Sequence, residues 1–251
     1  MTHSSDPQQE AGVLVAADER IEWLLPWWYN RFRAHNDLPV AFINLGMSHF
    51  GKTFCQERGE LIPFSFDSSF TTSSQKWEGK GNAFFFENRK RWMLKPFLFL
   101  KTPFLKTLWL DLDCEVLASL SHLFSLEGEL WIAEENEPSL RWALEQELIQ
   151  KGEMLYNSGV ILYARSSPLI KKWADAITST GEEFWSDQDG LSRVIAQEKA
   201  SMGVLGEEYN WRMTQGLNFR AKIVHWVGSW GKEYIRLYGG VGDALASLPK
   251  I

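Results

Sequence analysis

Cysteine is scarce. Cys55 and Cys114 are the only two in 251 residues, and they form no Cys-x-x-Cys pair, so the chain reads as a reduced, cytoplasmic protein. Long apolar runs are also missing. None approaches the roughly 20 residues that cross a bilayer. Residues 1–11 lack the basic start and apolar stretch of a signal peptide, and read as a disordered leader. There is no run of Lys and Arg, and the net charge is −6. A chain of that sign is poorly suited to a nucleic-acid backbone. Internal repeats and low-complexity tracts are absent as well.

What is present is ordinary for a globular protein, with 45% hydrophobic and 23% charged residues. This predicts one domain over 12–251 with a full core. The unusual number is 13 Trp. Most are expected in the core, and some as platforms for flat, partly apolar ligands such as sugars or bases.

Strand and helix patterns alternate. GVLVAAD (12–18) reads as a buried strand ending at Asp18, 19–36 as a helix despite Pro26, and 38–46 as a strand stopped by Gly46. That is a strand–helix–strand unit of the parallel α/β kind. Residues 61–64 read as a short strand and 65–82, rich in Ser, Thr, Gly and Asn, as a loop. Helix is predicted over 84–100 with a break at Pro96, strand over 106–113, a helical turn over 117–124, strand over 129–135 and helix over 138–151. Segment 156–164 reads as a strand entered through an Asn-Ser-Gly turn. Helices follow over 167–179, with Pro168 in the first turn, and over 186–198, with Ser186 as N-cap. A last strand is predicted over 221–228.

LWLDLDCEV (108–116) carries an apolar strand into Asp111 and Asp113. On a strand, residues two apart point to the same side. Like charges so close repel unless something positive lies between them. Ligands of open α/β sheets sit beyond the carboxyl ends of strands, where hard oxygen donors suit Mg²⁺ or Mn²⁺. A capped turn fits the same letters, and a second Asp-x-Asp stands at 187–189, so the pattern alone leaves both readings open. Haloacid-dehalogenase-type phosphatases also run a strand into Asp-x-Asp, using one Asp as nucleophile and the other as acid/base. Here Glu115 stands where those enzymes favour Thr or Val, and no convincing acidic pair for Mg²⁺ follows residue 190.

Six motifs in order carry a further resemblance: AAD (16–18), LKPFLFLKTPFLKTLWLDLDCEVLASLSHLF (94–124), YNSGVILY (156–163), DQDGL (187–191), YN (209–210) and HWVGSWGK (225–232). Over roughly 12–235 the chain resembles the glycogenin-like, family-8 retaining glycosyltransferases. These have the α/β GT-A fold, with a mainly parallel central sheet flanked by helices, and take a nucleotide sugar, usually UDP-linked, with Mn²⁺. The resemblance implies Asp111 and Asp113 as a metal pair, His225 as third ligand, and Leu112 among the donor contacts. Gly228 would admit the donor diphosphate and Lys232 would supply charge, one residue later than the family spacing. A loop of glycines would absorb that offset. It also implies donor contacts from Lys95, 16 residues before Asp111. Asp18 would hold the base or ribose, with Ala16 and Ala17 leaving room. Asn157 and Ser158 would line the donor sugar, Asp187 would bind its hydroxyls, Gln188 would face the anomeric carbon, and Asn210 would complete a late pair. Taken singly, Lys95 reads as a surface lysine, His225 as a core or capping histidine, Asn157 as a turn residue and Asp187 as helix N-terminal charge.

The implied reaction moves glucose or galactose from a UDP-sugar to a hydroxyl acceptor. A divalent ion stabilises the leaving diphosphate, and Lys95 and Lys232 add preorganised positive field. No strong nucleophile is evident beside the anomeric centre, so front-face transfer with retention is expected. The alternatives are a phosphatase acting through Asp111 and Asp113, and a non-catalytic carbohydrate-binding module using its tryptophans. Acceptor contacts are expected from 65–82, 134–142 and the tail after 232, with Arg89, Arg91, Trp77 and Trp142 among them. The tail lacks a basic amphipathic pattern, which favours a soluble acceptor.

Overall fold

The computed structural model describes residues 10–65, 75–200 and 202–242. Most of the expected leader, half of the 65–82 loop and the last residues of the tail lie outside them.

The chain builds β1 (Ala11–Ala17), α1 (Leu24–Arg33), β2 (Val40–Asn44), α2 (His49–Gln56), β3 (Glu60–Pro63), α3 (Ala83–Trp92), α4 (Lys95–Phe99) and β4 (Lys106–Leu110). It continues with β5 (Cys114–Val116), β6 (Leu130–Glu134), α5 (Glu137–Glu145), β7 (Tyr156–Ala164), α6 (Pro168–Thr180) and α7 (Asp187–Glu198). It closes with β8 (Gly203–Leu205), β9 (Trp211–Arg212), β10 (Ile223–His225) and α8 (Gly228–Tyr238). A seven-stranded sheet runs β3-β2-β1-β4-β7-β6-β8. β7 is antiparallel to both its neighbours, and the other pairs are parallel. A small sheet, β5-β10-β9, stands beside it.

The central strands are apolar on both faces because both are covered. Val13, Val15, Leu108 and Leu110 pack toward α1 and the small sheet. Leu14, Trp109, Ile161 and Tyr163 pack on the opposite face with residues of α4, α6 and α7. Tryptophan serves this core: Trp28, Trp77, Trp109, Trp173 and Trp226 are all buried.

Several boundaries differ from the sequence reading. The helix expected from residue 19 starts at Leu24, because Asp18 Oδ1 accepts from the backbone N–H of Arg20 (3.0 Å) and Ile21 (3.2 Å) and forms a turn first. Pro26 then falls in the first helical turn, where no intrahelical donor is lost. Helix α2 was not foreseen. The break in 84–100 comes at Met93–Leu94, and Pro96 sits in the first turn of α4. The helix expected over 138–151 ends at Glu145. Asn157 and Ser158 lie inside β7 rather than in a turn. The β6–β7 register shifts between Ile132 and Ala133, a bulge that re-aims side chains at the sheet end.

The largest correction concerns Asp-Leu-Asp. Strand β4 stops at Leu110, and residues 111–113 form a turn in which Cys114 N–H donates to Asp111 O (3.0 Å). The chain then enters the small sheet. A turn across the seam between two sheets brings the two carboxylates together, not the pleat of one strand. Gly228–Lys232 is likewise the start of helix α8, not a glycine loop.

Candidate active site

A cleft of about 640 Å³ opens where β1, β4, β7 and β10 meet the first turns of α4, α7 and α8. Its wall includes Asp18, Lys95, Asp111, Leu112, Asp113, Asn157, Ser158, Asp187, Gln188, His225, Gly228 and Lys232. The chain therefore gathers into one place residues as far apart in sequence as Asp18 and Lys232.

Lys95 is no surface lysine. It is buried, with Nζ 3.1 Å from Asp111 and from Ser158 Oγ, and 3.5 Å from Asp187 Oδ2. Burial works against its charge, but Asp111 and Asp187 outweigh that and raise its pKa above the ordinary lysine value. Trp109 Nε1 donates to Asp111 Oδ1 at 2.7 Å. Asp187 in turn accepts from Ser158 Oγ at 2.6 Å. Burial still pushes the Asp187 carboxyl upward, with Lys95 opposing.

Asp113 forms the second half of the cluster. Its Oδ2 lies 2.5 Å from Lys232 Nζ, and its Oδ1 3.3 Å from His225 Nε2. Burial alone would raise its pKa; Lys232 and His225 outweigh burial and hold it well below the usual carboxylate range. His225 Nε2 is also 3.9 Å from Asp111 Oδ2. The imidazole reaches this position because residue 159 is glycine. A Cβ there would lie 2.2 Å from His225 Cε1.

Among the described residues, Asp113, Cys114 and His225 bring ligand atoms within 4.8 Å of one another, a group that replaces Asp111 with a thiol. Chemistry favours Asp111 over Cys114. Burial pushes the Cys114 thiol well above its usual range, and its Sγ faces Gly159 O at 3.8 Å, whereas a metal binds the thiolate. Two carboxylates and one imidazole make a set suited to Mg²⁺ or Mn²⁺.

Other expected contacts are placed as follows. Both Asp18 oxygens are engaged, one by the turn above and the other by Arg91 Nε at 2.7 Å. Ala16 faces the cleft, while Ala17 is in the core. Gly228 opens α8 with φ +83°, and nothing lies within 4 Å of where its Cβ would be. Asp189 forms a capping box with Ser186. Asn210 does not line the cleft; its Oδ1 lies 2.9 Å from His225 Nδ1. Arg89 and Trp77 are buried away from the cleft. Arg89 Nη2 donates to Gly181 O (2.7 Å) and Phe184 O (2.6 Å).

No family model and no curated protein matches this chain. Solved structures do. The galactosyltransferase LgtC, solved with donor and acceptor sugar analogs, aligns over 95% of this chain and 98% of its own, at TM-score 0.64 and 15% identity. The glycosyltransferase GlyE of Streptococcus pneumoniae aligns over 89% of this chain and 55% of its own, at 0.58 and 19%. Mouse xyloside xylosyltransferase 1 aligns over 88% and 97%, at 0.56 and 16%. The chain has the GT-A glycosyltransferase fold. At these identities the likeness fixes the fold.

One feature of this GT-A cleft escaped the sequence reading, and a second was named there only at Trp142. Glu135, just past β6, is buried. Its Oε1 accepts from Arg212 Nη2 (2.6 Å), Asn157 Nδ2 (2.8 Å) and Gln188 Nε2 (3.3 Å). In sequence it is one acid in the run Glu134-Glu135-Asn136-Glu137, and nothing separates it from its neighbours. The second feature is an apolar wall of Trp92, Trp142, Trp185, Leu148 and Leu155 beside Gln188. Trp185 is stacked on Phe85 at 3.8 Å and meets Trp142 edge-on at 5.9 Å. Among the described residues, no helix is long and apolar enough to cross a membrane.

Proposed function

We propose that this GT-A protein is a metal-dependent, retaining glycosyltransferase of the glycogenin-like, family-8 kind, with 12–251 as one catalytic unit. It moves a hexose, glucose or galactose, from a UDP-sugar to a hydroxyl acceptor. The observation that carries this reading is the meeting of Asp111, Asp113 and His225 with Lys95, Lys232 and the start of α8, opposite Asp187 and Gln188.

Asp111, Asp113 and His225 would hold Mn²⁺ or Mg²⁺. The bound ion supplies Lewis-acid stabilisation of the leaving diphosphate. The chain's own residues supply the rest. Lys232 and the backbone N–H groups at the start of α8 bind diphosphate oxygens, since a helix N-terminus presents unpaired donors and positive field. Lys95 balances Asp111 and Asp187, so that both carboxylates stand in one low-dielectric site. Asp187, Ser158 and Asn157 bind donor-sugar hydroxyls. The Gln188 amide faces the anomeric carbon and is a poor nucleophile. Asp187 is already engaged by Ser158 and Lys95, so among the described residues it is not free to serve a double displacement. Transfer therefore proceeds on the front face, with a diphosphate oxygen receiving the acceptor proton. The wall of Trp92, Trp142 and Trp185 suits the apolar face of an acceptor sugar. Reduced Cys55 and Cys114 fit a cytoplasmic setting.

The phosphatase reading fits less well. It needs Asp113 as proton donor, and Asp113 is held deprotonated. It also needs a free Asp111, which Lys95 and Trp109 clamp. Glu115, at the position where that motif departs, accepts from Val241 N, Gly242 N and Trp226 Nε1 and serves the structure. As for a non-catalytic lectin-like module, five of the tryptophans are core.

The test is donor turnover. Purified protein should hydrolyse or transfer from UDP-glucose or UDP-galactose only with Mn²⁺ or Mg²⁺, releasing the α-anomer first. Asp113→Asn should lose at least about 100-fold in kcat, the scale of removing one electrostatic stabiliser. Metal-independent turnover, or full activity in Asp113→Asn, contradicts the proposal.

A further inference from the structure

A chain of amides connects Glu135 to His225. Asn157 Nδ2 donates to Glu135 Oε1 at 2.8 Å. Asn157 Oδ1 accepts from Gly159 N (2.9 Å) and from Asn210 Nδ2 (2.8 Å). Asn210 Oδ1 then faces His225 Nδ1 at 2.9 Å. Each orientation follows from the one before. A carboxylate only accepts and a backbone N–H only donates. Between Glu135 and Gly159 N–H, Asn157 has one favourable orientation of its amide, with oxygen toward Gly159 and nitrogen toward Glu135. That leaves its oxygen for Asn210, whose nitrogen must donate there. Asn210 is left with only its carbonyl for His225, so Nδ1 must carry the ring hydrogen. Nε2 faces Asp113 Oδ1 at 3.3 Å, an acceptor that in the absence of a cation draws a hydrogen onto that nitrogen as well, so the amides fix Nδ1 and leave Nε2 as the nitrogen a cation would take. Glu135 is anchored in turn by Arg212, whose Nη1 donates to Ser139 Oγ at 2.7 Å.

We propose that Asn157 and Asn210, anchored by Glu135, are positioning residues that lock His225 in the Nδ1–H tautomer and so keep Nε2 ready for a divalent cation. The tautomer stands on the hydrogen bonds alone, whereas its consequence for metal binding rests on the function proposed above. Asn157 thereby gains a task apart from donor contact. A histidine with its second nitrogen fixed by a hydrogen bond is the usual way a protein sets ligand orientation and basicity, and loss of such a partner weakens metal binding by roughly 10–100-fold.

Two readouts without nucleotide or turnover test this. The first is the ring tautomer of His225 in metal-free protein, from ¹⁵N chemical shifts and long-range ¹H–¹⁵N couplings. The second is Mn²⁺ affinity by calorimetry. The variants are Asn210→Leu, Asn210→Asp, Asn157→Leu and the double variant Asn157→Leu/Asn210→Asp. Wild type is expected to hold a hydrogen on Nδ1 throughout, as the neutral Nδ1–H ring or, with Nε2–H donating to Asp113, as the doubly protonated ring, and not as the neutral Nε2–H form. Asn210→Asp keeps the Nδ1 hydrogen, since a carboxylate accepts from Nδ1–H in either orientation. Asn210→Leu and Asn157→Leu are expected to give mixed tautomers and at least about tenfold weaker Mn²⁺ binding. The double variant should recover both properties, because the carboxylate no longer needs Asn157 to orient it. A merely structural role for Asn157 predicts no such recovery. Should one leucine variant fail to fold by circular dichroism, the other breaks a separate link and decides. The proposal is overturned if a folded leucine variant keeps the hydrogen on Nδ1 throughout, or if the double variant remains as weak as Asn157→Leu. Absence of Mn²⁺ binding in wild type with the Nδ1 hydrogen intact counts against the proposed function and leaves the tautomer lock standing.

Discussion

Lys232 Nζ lies 2.5 Å from Asp113 Oδ2, at the carboxylate proposed to bind the cation. With Lys95 beside Asp111, each aspartate of the Asp-Leu-Asp turn has its own ammonium partner. The repulsion that the sequence poses is thus answered within the chain, and a divalent ion must compete with Lys232 for Asp113. That competition gives Lys232→Met two effects of opposite sign. Mn²⁺ alone should bind more tightly, by about 3–10-fold, the size of a close charge interaction in a partly wet site. UDP in the presence of Mn²⁺ should bind more weakly by a similar factor, since a phosphate-binding charge is gone. Calorimetry with each ligand checks both signs; a change of the same sign for both would contradict this role.

Arg89 was expected at the acceptor and is instead a structural pin. Its guanidinium ties α3 to the 181–184 turn that precedes Trp185 and Asp187. Arg89→Met leaves two carbonyls without that donor, at about 1–3 kcal/mol each when buried. A loss of about 3 kcal/mol in urea unfolding is expected. A loss under 1 kcal/mol would show that the turn is held by other contacts.

How much of this could be read in advance follows from where the information lies. Strands β1, β4 and β7 were legible because burial on both faces leaves unbroken apolar runs. Helices α6 and α7 were legible from Pro168 and Ser186 at their starts. The residues that meet in the cleft were legible as an order of motifs, since most of them sit at or just past a strand end or at a helix start. Helix α2 was not, because Phe50 is exposed and its anchoring is long-range: Ser48, its N-cap, bonds to Glu22. Helix α8 was hidden by Gly228 and Gly231 in its first turns, which read locally as loop. The Asp-Leu-Asp turn was masked by the apolar residues on either side, which serve two different sheets. Glu135 has no local signature at all; its meaning comes from Asn157, Gln188 and Arg212, each distant in sequence.

Trp142 is 44% exposed at the rim of the cleft, edge-on to Trp185. If it carries the apolar face of an acceptor sugar, Trp142→Ala should raise acceptor KM about 3–10-fold, as expected for an aromatic contact of 0.5–1.5 kcal/mol. Donor KM should stay within about twofold. An unchanged acceptor KM across a panel of glycoside acceptors would remove Trp142 from the acceptor site.

Asp189 gives a pH signature. Burial pushes its carboxyl up to about 6, against the hydrogen bonds from Ser186 and Trp185. The folded pKa thus exceeds the unfolded value near 3.9. The folded state then holds the proton more tightly, so this group's contribution to stability rises as pH falls through about 6 and levels off below about 4. Relative to Asp189→Asn, wild type should gain on the order of 1–3 kcal/mol between pH 7 and pH 4. Thermal unfolding of both proteins across that range measures it. A constant difference would place the Asp189 pKa near the unfolded value.

The most direct measurement of the central claim is UDP binding by calorimetry with and without Mn²⁺, for wild type and Asp113→Asn. Wild type should bind UDP with Mn²⁺ at least about tenfold more tightly than without it, and Asp113→Asn should lose that enhancement. UDP binding of equal strength with and without the metal, or an enhancement that survives in Asp113→Asn, would contradict the account.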